Sequence, residues 1–116
     1  MLYKQYLQTE HWKNKRLEKL ATHPNCQICN SPKGIQVHHK RYKYDNQSIL
    51  FNERVEDLIT LCGSCHRLTH HYFGIDVHKI NKKILRVKRL LELGAIKNKA
   101  FWVASQDNQL FISLVH

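Results

Sequence analysis

Apolar positions along this chain follow three spacings, and each predicts a different kind of element. From Thr9 to Ala21, Trp12, Arg16 or Leu17, and Leu20 recur at helical intervals. Thr9 is placed to cap that helix, Glu10 suits its first turn, and His23-Pro24-Asn25 stops it. Ile35-Gln36-Val37 alternates like a short strand and would deliver His38 and His39 to opposite faces. From Lys40 to Glu53 the chain is polar, with Tyr42, Tyr44, Ile49, Leu50 and Phe51 scattered through it, and reads as a loop. Asp57 to Leu61 reads as a short buried segment, and His66 to Tyr72 as the start of a helix. After Gly74, the stripe Ile80, Ile84, Val87 and Leu91 predicts a helix from about Val77 to Leu93, terminated by Gly94. Phe101 to Ser105 and Leu110 to Val115 flank the turn-prone Gln106 to Gln109, which predicts a closing β-hairpin.

Cysteine spacing changes this picture most. Cys26-Gln-Ile-Cys29 and Cys62-Gly-Ser-Cys65 are two C-x2-C pairs, each able to supply two thiolates to a tetrahedral metal. A closed shell of four sulfurs leaves no position for substrate, so structural zinc is expected at Cys26, Cys29, Cys62 and Cys65. A chain of 116 residues buries a limited apolar surface, and such a metal would complete its small core. No apolar run approaches a membrane span, and no apolar leader or lipidation motif is seen, so a cytoplasmic protein with no membrane partner is expected.

The formal charge of +10 favours a phosphate polymer as partner. Between the cysteine pairs stands His38-His39, and beyond them His66 and His70 lie four residues apart, on one face of the predicted helix. Two such imidazoles with one from the histidine pair make an open three-ligand metal site, leaving the other histidine for acid–base work on water. Three imidazoles suit zinc, nickel or manganese better than magnesium.

The run Val37-His-His-Lys-Arg-Tyr42, then Asp57-Leu-Ile-Thr-Leu-Cys62, then Cys65-His66 and His70, resembles the HNH nuclease family. The likeness extends to small phage and mobile-element members with a Tyr-Leu-x-x-x-x-Trp opening, here Tyr6-Leu7 to Trp12. The resemblance implies a ββα-metal fold and divalent-metal-dependent cleavage of double-stranded DNA, in a bacterial or phage-infected cell. It implies His38, His66 and His70 as ligands of one catalytic metal and His39 as the base that activates water. It aligns Asp57 with the middle Asn of the family pattern, a departure, since a carboxylate accepts hydrogen bonds but cannot donate them as an amide does.

The expected fold class is therefore α+β: a zinc-stabilised HNH domain over residues 1–73, followed by a helix and hairpin extension over 74–116. Lys40, Arg41, Lys43 and Arg67 are the expected phosphate contacts near the chemistry, and Lys82, Lys83, Arg86 and Arg89 extend them along the basic helix. Phe101, Trp102, Phe111 and Ile112 need burial, either in the extension or at a homodimer surface.

Overall fold

The computed structural model describes residues 2–74 and 77–106, excluding the side chains of 77–81. A one-turn helix α1 (Tyr3–Tyr6) precedes α2 (Glu10–Thr22). Thr9 caps α2 as expected, its hydroxyl accepting from the Trp12 amide at 3.2 Å. Strand β1 (Ile35–His39) pairs antiparallel with β4 (Leu58–Cys62), Val37 opposite Thr60 and His39 opposite Leu58. A 3-10 turn, Val55–Asp57, leads into β4.

Between these strands the expected loop contains a second hairpin, β2 (Lys43–Tyr44) with β3 (Gln47–Ser48). Its turn residues Asp45 and Asn46 have φ of 47° and 66°, the left-handed pair that a tight hairpin needs. Polar composition hid this hairpin, because strands exposed on both faces carry no apolar alternation.

After β4 come α3 (Gly63–Phe73), α4 (Val77–Glu92) and α5 (Lys97–Ser105). Helix α3 starts three residues earlier than expected and takes in Cys65. The first arm of the predicted hairpin is instead helix α5. Ala100, Phe101, Val103 and Ala104 are buried on it while Trp102 is exposed, which is a helical stripe. Phe101 stacks on Phe73, so burial outweighs the strand preference of Phe-Trp-Val. The second arm, Leu110 to Val115, lies outside the described residues.

The chain divides into two compact units, Met1–Cys62 and Gly63–His116. In the first, Tyr6, Trp12, Val37 and Leu58 form the core, with Leu7, Leu20 and Leu50 packed against them. In the second, Ile84 and Val87 of α4 and the inner face of α5 are buried. Among the described residues no helix is long and apolar enough to cross a membrane.

Candidate functional site

The four cysteines converge: their sulfurs all lie within 4.8 Å of one another, and Cys26, Cys62 and Cys65 are buried. Zinc–sulfur bonds of about 2.3 Å set tetrahedral sulfurs roughly 3.8 Å apart, and Cys29 Sγ stands 3.6 Å from Cys62 Sγ. The cluster thus has the donor chemistry and spacing of a structural zinc site. Burial pushes the Cys29 thiol up, a cost that a divalent cation would offset by favouring the thiolate. The first knuckle closes with Asn30 at a φ of 66° and its amide donating to the Cys26 carbonyl at 2.9 Å. Gln27 ties that knuckle to β4: its amide donates to the Thr60 carbonyl at 2.8 Å, and its Oε1 accepts from the Thr60 amide at 2.9 Å.

Strand β1 runs through both histidines and, by its alternation, sends them to opposite faces. His38 is half-buried and shares its face with Gln36, where its Nε2 donates to Oε1 at 3.1 Å. His39 turns inward beside Val37 and stacks on Trp12, ring centroids 4.7 Å apart. Its Nε2 lies 2.8 Å from Glu53 Oε2, and its Nδ1 2.8 Å from the Tyr3 hydroxyl. Glu53 is itself buried and also receives the Tyr6 hydroxyl and, at 3.0 Å, His11 Nε2.

The protonation states follow from these partners. Burial pushes the Glu53 carboxyl upward, but hydrogen bonds from Tyr6, His39 and His11 outweigh it and hold the pKa at about 2. Glu53 is then a carboxylate, able only to accept, so His39 Nε2 carries the proton. Burial lowers the His39 pKa against the pull of Glu53, which favours the neutral ring with its lone pair on Nδ1. Burial raises the Tyr3 pKa, which keeps that hydroxyl protonated and donating to Nδ1. A line of hydrogen bonds runs from buried Glu53 through His39 to Tyr3, whose ring is 39% exposed.

Asp57 is buried at the start of β4 and reaches both ends of the intervening segment. Its Oδ2 accepts from the Arg54 amide at 2.9 Å, and its backbone carbonyl accepts from the Lys40 amide at 2.7 Å, next to His39. Arg41 and Arg54 share its Oδ1 at 3.5 Å each. The carboxylate therefore needs only to accept from these groups.

On α3, His66 and His70 lie one turn apart with ring centroids 4.6 Å apart, His66 half-buried and His70 exposed. Burial, with His70 and Arg67 nearby, lowers the His66 pKa. Of the expected phosphate contacts, Lys43, Arg67, Lys82 and Arg89 are exposed, and Lys40, Arg41, Lys83 and Arg86 are half-buried. Arg89 pairs with Glu92 at 3.4 Å, and Lys83 lies over the Phe73 ring.

Residues 26–72, from the first knuckle through the histidine pair to the end of α3, match the family model described as HNH endonuclease. This segment is similar to HNH endonuclease domains. No curated protein and no solved structure significantly matches the chain. The HNH match begins at Cys26, so Tyr3, Tyr6 and Trp12, which contact His39, and His11, which reaches Glu53, all come from outside it. Sequence reasoning gave none of these four, nor Glu53, a role beside His39. Glu53 is one of four acids from Asp45 to Asp57, and nothing in its spacing pairs it with a histidine 14 residues earlier.

Proposed function

We propose that this protein is a metal-dependent endonuclease that hydrolyses phosphodiester bonds in DNA, with His39 as the base. The observation that carries this reading is the pair of hydrogen-bond partners of His39 inside the segment that matches the HNH endonuclease model: Glu53 Oε2 lies 2.8 Å from Nε2, and the Tyr3 hydroxyl 2.8 Å from Nδ1. A water outside Tyr3 donates to the phenol oxygen while the phenol proton passes to Nδ1, so the phenolate never accumulates. The hydroxide attacks phosphorus, the bond to the 3′ oxygen breaks, and that oxygen takes a proton from a solvent water, whose hydroxide is neutralised by the proton that His39 returns to solvent, leaving a 5′-phosphate and a 3′-hydroxyl. His38, His66 and His70 would hold the catalytic divalent ion, and Asp57 fixes the backbone beside His39. Such an ion, when bound, supplies charge stabilisation at the scissile phosphate.

One observation favours a second reading, a module that binds nucleic acid without cutting it: the His39 side chain is fully enclosed, with both ring nitrogens engaged. Supercoiled plasmid incubated with the purified chain and manganese, nickel or magnesium separates the two. The proposal expects nicked or linear product with 5′-phosphate ends. A shifted plasmid that stays supercoiled, beside a bound single-stranded oligonucleotide that stays intact, under every metal would establish the binding module instead.

A further inference from the structure

The aromatic residues around His39 do more than enclose it. Phe51, Tyr3 and Tyr42 are 46%, 39% and 39% exposed, and they are joined ring to ring over the buried Tyr6. Phe51 meets Tyr6 at 4.9 Å between centroids, Tyr6 meets Tyr3 at 6.2 Å, and Tyr3 meets Tyr42 at 5.6 Å. Phe51 is held at a φ of 70°, a conformation that a bulky side chain rarely adopts and that keeps its ring at the surface. Next to this track, Arg41 and Arg54 lie 4.5 Å and 5.1 Å from the Tyr44 ring centroid. Both guanidiniums share the Asp57 carboxylate, and Arg54 also feels the exposed Glu56. With Lys4 and Lys43 also exposed and Asp45 at the hairpin turn, four cations face three acids here.

We infer that this track is a base-stacking platform, and that the substrate or bound form is nucleic acid with unpaired bases. Phosphate recognition alone would need the cations and not the rings. Exposed rings in a cationic setting match the π-face of a nucleobase, which is available only where the base is not stacked in a duplex. Arg41 and Arg54, oriented by Tyr44, grip phosphates while Phe51, Tyr3 and Tyr42 receive bases. As a statement about DNA cleavage the inference rests on the nuclease reading, because it sets which strands reach His39. As a statement about binding it stands alone.

The test is fluorescence anisotropy of the zinc-loaded full chain without added divalent metal, on labelled single-stranded and duplex oligonucleotides of equal length. The platform predicts roughly tenfold tighter binding to the single strand. Tyr42→Ala and Phe51→Gly should erase that preference while leaving the salt dependence unchanged, because no charge is lost. Tyr42→Trp, which keeps a ring, should retain it. Melting temperature and zinc content identify any variant that fails to fold, and the single-to-duplex ratio is read only on folded protein. Equal affinity for both strands, preference surviving the Tyr42→Ala Phe51→Gly double variant, or ring-dependent binding to anionic vesicles in place of single strands would overturn the inference. Absence of cleavage of both plasmid and single-stranded DNA with the preference intact would count against the nuclease reading alone, and cleavage without the preference against the platform alone.

Discussion

Among individual residues, Glu53 carries the largest electrostatic commitment, accepting from Tyr6, His11 and His39 inside the fold. Its depressed pKa means that stability is fully present above the ordinary carboxylate range and is lost as pH falls from about 4.3 toward about 2. Glu53→Gln should cost about 2–3 kcal/mol at neutral pH, and urea unfolding of the variant should lose much of that acid dependence. Lys19 shows the opposite sign. It is 2% exposed, and burial, with Lys40 nearby, brings its pKa down to about 8. Its charged form is disfavoured in the folded state, so stability should rise between about pH 8 and 10. Lys19→Met should add roughly 1–2 kcal/mol at pH 7 and flatten that rise. Tyr3→Phe removes the hydroxyl between water and His39 and should slow cleavage by about 100-fold, with little change in substrate affinity. The four cysteines were legible because ligand chemistry restricts residue type and spacing. Glu53, Tyr3 and Lys19 were not, because their roles come from long-range packing that one-dimensional spacing does not encode.

Among elements, those with one buried face were readable and those without were not. The α2 cap, the β1 and β4 segments and the basic α4 all announced themselves through a cap, an alternation or a stripe. The β2–β3 hairpin is exposed on both faces, and only Asp45-Asn46 marked it. In α5, strand-favouring residues misled: Phe101 is fully buried and Trp102 is 47% exposed, as helical packing against α3 and α4 dictates. Phe101→Ala should therefore destabilise by about 3–5 kcal/mol, whereas Trp102→Ala should stay within about 0.5–1 kcal/mol in the same chemical unfolding assay. Comparable losses at both positions would show that Trp102 is also covered.

For the whole molecule, two separate duties emerge from the crowding of cysteines and histidines. The sulfur cluster holds the HNH segment, with β4 running into Cys62 and α3 carrying Cys65. Stripping zinc with a chelator, or substituting Cys62 by Ser, should abolish cooperative unfolding, and readdition of zinc should restore it only to the unsubstituted chain. His39 lies against a wall built by α1 and α2, elements outside the HNH match, so this segment draws its His39 environment from the N-terminal helices. The central claim is that His39 is the base. Single-turnover cleavage of DNA by the zinc-loaded chain with manganese, beside His39→Ala of equal zinc content and equal DNA affinity, tests it most directly. With His39 as the base, the natural chain cleaves and the variant loses at least about 100-fold in rate. Equal rates from the two proteins would rule that role out.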